Sequence, residues 1–249
     1  MKGVRLGKNE RVDSLDHLGR RIIQRRDGFR FAMDAVLLAH FPRYGKNCRV
    51  LDLGTGTGAM PLLMAEEASY VEALEIDGEM AGMAARSVLL NGLAVKIRVR
   101  QGDYREIRSL VKPESFDVVI ANPPYGGTSD GPCAKGAKAV ARQEVAATLM
   151  DAVRAARYAL RYRGKFAMVH RPSRLAEIFA ALMENQLAPK RMRFVEPRAG
   201  KPANLVLIEA VQGGAPGGLV MLPTLRVRGE DGEYTKELLE IYEKKQSGE

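Results

Sequence analysis

The stretch VLDLGTGTG, residues 50–58, decides the fold because it joins an apolar run to a glycine-rich turn. The leucine and β-branched residues predict a buried strand, and Gly54, Gly56 and Gly58 follow it directly. Glycine tolerates positive φ and lets the backbone approach a ligand closely. The helix-compatible residues 59–68 come next, and the start of a helix offers free N–H groups and the positive end of its dipole. The sequence therefore predicts a ligand site at the end of this strand.

The nature of that ligand depends on Asp52, which lies two residues ahead of the glycines. Gly54, Gly56 and Ala59 also satisfy the glycine spacing of dinucleotide-binding proteins. A carboxylate at position 52 would crowd a pyrophosphate but would accept hydrogen bonds from an ammonium group. The turn alone is a weak signal, and the aspartate argues against a nicotinamide cofactor.

Two further acids are expected at the same edge of the sheet. Glu75 ends the second predicted strand and is suited to hold a ribose diol, better than Asp77 in the following turn. A third strand, predicted over residues 95–99, leads to Asp103, whose carboxylate can accept a bond from an adenine amino group. Since parallel strands end at one rim, these acids should surround one ligand.

The second informative stretch is Asn122-Pro123-Pro124-Tyr125, which follows the apolar strand predicted at residues 116–121. Neither proline has an N–H group, so their backbone can only accept hydrogen bonds. Such a site suits a planar amide or aromatic amine, whose NH₂ donates two bonds while its plane lies on the tyrosine. The four residues alone are equally consistent with a proline turn after a strand.

In this order the motifs resemble those of class I S-adenosylmethionine-dependent methyltransferases of amino groups. Residues 24–38, 170–175 and 197–205 are also similar to segments of bacterial tRNA(Val)-type adenine-N6 methyltransferases. The resemblance covers most of the chain, from about residue 24 to about residue 210. It implies S-adenosylmethionine as cofactor and N6-methylation of an adenine in RNA, with tRNA near the anticodon as the family-level expectation.

The residue patterns, the basic clusters and the resemblance together predict roles for individual residues. The residues expected to act in catalysis are Asn122, Pro123 and Tyr125. Those expected to bind the cofactor are Asp52, Gly54, Gly56, Gly58, Glu75, Asp103 and Asn122. Those expected to face the substrate are Asp34, Pro124, His170, Arg171, Arg191, Arg193, Arg198 and Lys201. Asp34 is equally consistent with a helix-capping or surface aspartate, and His170-Arg171 with a capped turn.

The alternation of strands and helices from residue 49 onward predicts an α/β fold with a doubly wound, Rossmann-like sheet of seven strands. The predicted strands are residues 49–53, 71–75, 95–99, 116–121, 165–170, 190–196 and 204–210, and the last two form a C-terminal antiparallel hairpin. We expect a basic N-terminal extension with a short helix (residues 1–45), a methyltransferase core (46–211), and a C-terminal strand and acidic helix (212–249). A helix is predicted over residues 144–160, and residues 126–138 are interpreted as a loop over the site or a plain surface loop.

Composition favours a polyanionic partner. The net charge is +9, with nine Lys or Arg against four acids in residues 1–31 and five against one in residues 190–201. Any one such cluster is more often a solvated face, but several beside a nucleotide-type site favour nucleic acid. No apolar run is long enough to span a bilayer, no secretory signal is present, and Cys48 and Cys133 are isolated. We therefore expect a cytoplasmic protein without a metal site or membrane contact.

Other functions remain compatible with the motifs. A protein glutamine amide presents the same NH₂ pattern, although such enzymes usually carry a helical domain ahead of the core. Guanine-N2 methylation of rRNA is a second possibility, and DNA adenine methylation would normally need a separate reading domain. A non-catalytic RNA-binding module is disfavoured because the acids and the asparagine are intact. The motifs leave the RNA, the base position and the oligomeric state open.

Overall fold

A computed structural model describes residues 4–27, 33–125 and 149–243. The strands are β1 Glu10–Ser14, β2 Arg21–Arg25, β3 Arg49–Leu53, β4 Tyr70–Glu75, β5 Ile97–Gln101, β6 Phe116–Ala121, β7 Leu160–His170, β8 Leu187–Arg198, β9 Leu205–Gln212, β10 Val220–Met221 and β11 Leu225–Arg228. The α-helices are α1 Met33–Ala39, α2 Ala59–Met64, α3 Gly78–Leu90, α4 Ile107–Leu110, α5 Leu149–Ala159, α6 Leu175–Glu184 and α7 Lys236–Glu243. Short 3₁₀ turns at Tyr104–Glu106 and Pro172–Arg174 precede α4 and α6.

The central sheet confirms the predicted doubly wound α/β fold. Its strand order is β10-β8-β9-β7-β6-β3-β4-β5, and β11 also pairs with β8. Strands β3 to β7 run parallel, whereas β9 is antiparallel to both β7 and β8. The chain proceeds outward from β3 to β5 and returns on the other side of β3 with β6. The gap between the carboxyl ends of β3 and β6 is therefore the topological switch point, where such folds bind ligands.

The seven predicted strands are present, but several of their bounds differ from the prediction, and the segment after residue 212 adds two short strands. The third strand occupies residues 97–101 instead of 95–99, because Lys96 N–H donates to the Leu93 carbonyl in a turn and leaves Val95 91% exposed. The strand predicted at 165–170 begins at Leu160. The predicted C-terminal strand is split into β10 and β11, and both lengthen the sheet beyond seven strands by pairing parallel with β8.

Apolar side chains fill both faces of the sheet. Residues 50–53 of β3 are buried on both faces, as expected of a central parallel strand. Asp52 is the exception in this run, because it is an acidic residue and its side chain is completely buried. One apolar cluster includes α1, α2 and the C-terminal segment, and the other surrounds α5 and α6.

The N-terminal extension contains a β-hairpin that the sequence did not predict. Strands β1 and β2 pair antiparallel, and Ile22 and Ile23 of β2 are completely buried. The Ile23 N–H donates to Ser87 Oγ on α3 at 2.9 Å, and the Asn91 side chain bonds both backbone groups of Arg21. Polar side chains of α3 thus satisfy one edge of the hairpin.

The C-terminal segment packs against the same body. Leu238 of α7 is completely buried in the cluster that includes α1. No helix among the described residues has the length and hydropathy that crossing a membrane requires.

We predict that Ser87→Ala lowers the free energy of unfolding by about 1–3 kcal/mol, because it leaves the Ile23 N–H buried without an acceptor. Urea denaturation measures the change. Ser109→Ala is the matched control, since Ser109 is exposed and the change there should stay within about 0.5 kcal/mol. Equal losses in both variants would show that the hairpin is not held through Ser87.

Candidate functional site

The glycine turn, residues 54–58, has the backbone that its sequence predicts. Gly54 and Gly58 have φ values of 77° and 90°, which residues with side chains rarely adopt. A Cβ atom on Gly58 would also lie 3.0 Å from Ala84 Cβ of α3. The N–H groups of Gly54 and Thr55 both donate to the Leu74 carbonyl at 2.9 Å. The turn is therefore hydrogen-bonded to β4 and packed against α3.

A cavity opens at the switch point between β3 and β6. Three parts of the chain meet around it: the glycine turn and α2, the start of α1, and the end of β6. Its lining residues are Asp34, Ala35, Gly54, Thr55, Gly56, Thr57, Ala59, Met60, Met80 and Asn122. The sequence placed Asn122 and the glycines at one rim, and the structure brings them into one cavity.

Asp52 is buried in β3, two residues before the glycine turn, and is not among the residues that line the cavity. The residue is 0% exposed, and neither carboxylate oxygen nor the Thr55 hydroxyl has a hydrogen-bond partner among the described residues. Burial raises the pKa of Asp52 to about 7; the nearby Thr55 side chain opposes the shift, and the charge of Glu75 adds to it. Of these two residues Thr55 lines the cavity, and an unpaired buried polar atom there indicates a group that a ligand completes.

Glu75 ends β4 as predicted, but its carboxylate already accepts two backbone bonds. Gly56 N–H donates to one oxygen at 2.7 Å and Asp77 N–H to the other at 2.9 Å. Burial raises the pKa of Glu75, while these hydrogen bonds oppose the rise. Asp77 caps α3 by accepting from the N–H groups of Glu79 and Met80. Each Glu75 oxygen keeps a second lone pair for a ligand hydroxyl.

Asp103 lies after β5 and does not line the cavity within the described residues. Its carboxylate accepts from the backbone and the guanidinium of Arg105. Burial alone would raise the pKa of Asp103, but the hydrogen bonds and charge of Arg105 outweigh burial and lower it. An adenine amino group at Asp103 would therefore share the carboxylate with Arg105.

The Asn-Pro-Pro-Tyr motif forms a hydrogen-bonded cluster with α1. The Tyr125 hydroxyl lies 2.6 Å from Asp34 Oδ2 and 2.9 Å from Asn122 Oδ1. Pro123 is buried and Pro124 is exposed. Burial, together with the charge of Asp34 and its hydrogen bond, raises the pKa of Tyr125 above its usual range. The hydroxyl therefore keeps its proton as a donor.

His170 and Arg171 support the Tyr125 ring. The His170 ring meets it edge-on with centroids 5.3 Å apart, and the Arg171 guanidinium carbon lies 5.0 Å from its centroid. His170 is completely buried, and burial, with the charge of Arg174, lowers its pKa to about 4. A neutral, buried imidazole contacts Tyr125 in this structure, and one face of the tyrosine is covered by Arg171.

The arginines predicted to face a substrate fall into two groups. Arg191 pairs with the buried Glu209 and stacks on Phe41, while Arg193 pairs with Glu237. Both side chains are less than 20% exposed, so an external anion would have to break these ion pairs.

Arg198 and Lys201 form the second group. Both are exposed at the turn between β8 and β9. Because β8 runs in the direction of β7, this turn lies at the same rim as Asn122. The predicted loop at residues 126–138 lies outside the described residues, as does the beginning of the helix predicted from residue 144.

The sequence missed some of the residues that line the cavity. Met80 reaches it from the first turn of α3, and Ala35 reaches it from α1. The available signal for Met80 was its position just after the capping Asp77. The contact between Asp34 and Tyr125 joins residues 91 positions apart and has no local signal.

Comparisons with known proteins place this site in a family context. The model of the methyltransferase small domain matches residues 32–189. A Bacteroides fragilis (strain YCH46) protein named tRNA1(Val) (adenine(37)-N6)-methyltransferase is 30% identical over 177 residues, which cover 70% of this chain and 74% of that protein. A protein of the same name from Shewanella sp. (strain MR-4) is 25% identical over 224 residues, or 86% and 90% of the two chains.

Solved structures resemble this chain as well. The structure of a "predicted O-methyltransferase" from Agrobacterium tumefaciens has a TM-score of 0.69 and 27% identity, and the match covers 84% of this chain and 95% of that one.

We predict that Asp52→Asn stabilises the ligand-free protein at pH 8. The pKa of Asp52 is about 7 in the folded protein and about 4 in the unfolded chain. The folded state therefore binds the proton more tightly, and the stability that this gives is fully present below pH 4 and is lost as the pH rises through 7. Removing the charge should raise the free energy of unfolding by about 1–3 kcal/mol at pH 8 and change it little at pH 4.

Urea denaturation at both pH values checks this sign. Asp103→Asn is the control with the opposite sign, because Asp103 has a lowered pKa and loses its bond with Arg105. It should destabilise the protein at pH 8, by about 0.5 kcal/mol, because Asp103 is half-buried and its ion pair with Arg105 is reached by solvent. A destabilised Asp52→Asn variant at pH 8 would contradict the uncompensated burial of that carboxylate.

Proposed function

We propose that this chain, which belongs to the methyltransferase small domain family, methylates the N6 amine of an adenine in tRNA with S-adenosylmethionine as methyl donor. The observation that carries the proposal is the position of Asn122. Its side chain opens into the same cavity as the glycine turn, at the switch point of the sheet. The cofactor turn and the amine-binding motif therefore serve one site.

The choice of adenine in tRNA is supported by the relatives. Both proteins described above carry tRNA1(Val) (adenine(37)-N6)-methyltransferase as their name, and the matches cover most of their length. A tRNA substrate also fits the net charge of +9, and it implies a reaction in the cytoplasm. The assignment of tRNA position 37 rests on the names of these relatives alone, and it is part of the proposal.

The residues around the cavity fit the cofactor. Asp52 offers unpaired carboxylate oxygens to an ammonium group, Glu75 offers free lone pairs to ribose hydroxyls, and the glycine turn leaves room for close approach. A Cβ atom on Gly56 would meet nothing within 4 Å, so that face of the turn is open. The cofactor supplies a methyl group already activated by its sulfonium.

The protein's task is then to align the amine and shape its hydrogen bonds. An exocyclic amine is a poor nucleophile because its lone pair is delocalised into the ring. Acceptance of its two N–H bonds by the Asn122 side-chain oxygen and the Pro123 carbonyl would turn the nitrogen toward tetrahedral geometry. The lone pair then points at the methyl group, and the extra proton leaves after transfer, so no general base is needed beforehand.

The proton count at Tyr125 determines how Asn122 must be oriented. The tyrosine hydroxyl carries one proton, and the short contact to the Asp34 carboxylate uses it. The 2.9 Å contact to Asn122 then needs a donor from Asn122, which its amide nitrogen supplies after a half-turn of the amide. That half-turn directs the amide oxygen away from Tyr125 and makes it available to the substrate amine. Asp34 is thus a positioning residue that acts through Tyr125.

The tyrosine ring has a second task. Arg171 covers one face, so a base would stack on the other face, an interaction worth about 1–3 kcal/mol in nucleic-acid complexes. A base inside a helix cannot enter such a site, which requires an unpaired or flipped nucleotide. Anticodon-loop bases meet this requirement.

We predict that Asn122→Ala lowers kcat by on the order of a hundredfold or more, because the amine loses its main acceptor. The dissociation constant of S-adenosylmethionine, measured by calorimetry, should change little. Weakened cofactor binding with substantial turnover would assign Asn122 to the cofactor instead of the amine.

A double-mutant cycle tests the role of Asp34. Tyr125→Phe and Asp34→Asn should each lower kcat by roughly tenfold, the equivalent of one hydrogen bond of about 1.4 kcal/mol. The KM for tRNA should stay constant in Asp34→Asn. In the Tyr125→Phe background, Asp34→Asn should cost nothing further, because its effect passes through the missing hydroxyl. Additive losses would show that Asp34 contacts the substrate directly.

Methyl transfer to unmodified tRNA tests the function itself. Labelled S-adenosylmethionine is incubated with total unmodified tRNA and the protein, and nucleosides are separated after digestion and identified by mass spectrometry. We expect labelled N6-methyladenosine, and none with Asn122→Ala. No label in tRNA, together with label in rRNA or in protein glutamine when those substrates are supplied in parallel reactions, would overturn the substrate assignment.

A further inference from the structure

A basic groove lies between α4 and α5, outside the cavity. Its volume is about 530 Å³, and it contains four arginines against two acids, Glu106 and Asp151. We name it the α4–α5 groove. The side chains that define it here are Arg105, Arg108, Arg154, Arg157, Tyr104 and Tyr158.

The four guanidinium groups differ in their partners. Arg105 bonds Asp103, and Arg157 donates to the Gln186 side chain. Arg108 lies over the Tyr158 ring, with 5.6 Å from the guanidinium carbon to the ring centroid. Arg108 and Arg154 are exposed, and neither has an ion pair or hydrogen bond to a residue in the described ranges. Two cations in the groove are therefore available to an external anion.

This arrangement contrasts with the basic strand β8. Arg191 and Arg193 are two of the residues expected to face the substrate, but each forms an ion pair with a glutamate of this chain, whereas Arg198 and Lys201 at the end of β8 are exposed. Breaking those pairs would leave Glu209, which is almost fully buried, without its partner. The groove offers cations without that cost.

The groove also reaches the cofactor side of the site. Tyr104 lines it and follows Asp103 directly, and its ring lies 3.8 Å from where a Cβ atom on Gly54 would be. Gly54 belongs to the cavity. A polymeric ligand that lies in the groove would therefore pass beside the glycine turn.

We propose that the α4–α5 groove binds the sugar-phosphate backbone of the substrate RNA. The proposal rests on the function proposed above and adds a binding surface to it. Arg108 and Arg154 pair with phosphates, and the Tyr158 ring keeps the Arg108 guanidinium in place. Such contacts carry no base specificity; they fix the RNA so that one nucleotide reaches Asn122.

The test compares two double variants with equal loss of charge. R108A/R154A removes the two unpaired cations of the groove. R43A/K46A is the control, because Arg43 and Lys46 are exposed between α1 and β3, at the amino-terminal edge of the sheet. For each protein, tRNA affinity is measured by fluorescence anisotropy over a range of salt concentrations, together with kcat, the KM for tRNA and cofactor affinity.

In R108A/R154A we expect the slope of log affinity against log salt to become shallower by about 2. The KM for tRNA should rise several-fold, while kcat at saturating tRNA and cofactor affinity stay unchanged. The control should retain the wild-type slope. An unchanged slope and KM in R108A/R154A, with active wild-type protein, would overturn the proposal that RNA binds in the groove. The proposed function would remain. An equal change in the control would show a general charge effect and also overturn the proposal for the groove.

One further variant and two outcomes for the wild-type protein keep the proposals separable. Arg154→Glu changes one exposed side chain that makes no described contact and leaves Arg108 and Tyr158 in place. A loss of RNA affinity in this variant would therefore not come from loss of the Arg108–Tyr158 contact. Wild-type protein that binds tRNA with strong salt dependence but transfers no methyl group would overturn the function, while the slope comparison would still decide on the groove. Wild-type protein that does not bind tRNA would overturn both.

Discussion

The position of β3 between β4 and β6 is the constraint on which the rest of the site depends. Because the chain leaves β3 in one direction and returns on its other side, the turns after β3 and β6 diverge and leave a cavity between them. The hydrogen bonds from Gly54 and Thr55 to the Leu74 carbonyl hold one wall of that cavity. The contact of Tyr125 with Asp34 holds the other wall against α1.

Much of this could be predicted from local patterns. The strands at residues 49–53 and 116–121 occupy the predicted residues because each is an apolar run ended by a strong turn signal. The glycines, Glu75 and Asn122 come together because parallel strands end at one rim, which follows from order along the chain. The third strand was misplaced because Val95 has high strand propensity but lies in the turn that closes α3.

What depends on distant pairing could not be predicted. The β1–β2 hairpin appeared as a charged extension, because its buried isoleucines and its anchoring Ser87 are 64 positions apart. The same limit applies to the arginines. The number of cationic residues in 190–201 does not reveal that Glu209 and Glu237 form ion pairs with two of them. It also does not reveal that Arg108 and Arg154 are unpaired among the described residues. Availability of a charge is a property of tertiary contacts, not of composition.

The buried carboxylate of Asp52 has a consequence for turnover. In its proposed role it interacts with the ammonium group of the cofactor, and that group is unchanged when the methyl has been transferred. The interaction therefore stabilises the donor complex, the transition state and the demethylated product to the same degree, and it contributes affinity without lowering the barrier from the bound state. An enzyme built this way keeps its affinity for the spent cofactor, so the demethylated form would compete with fresh cofactor for the same site.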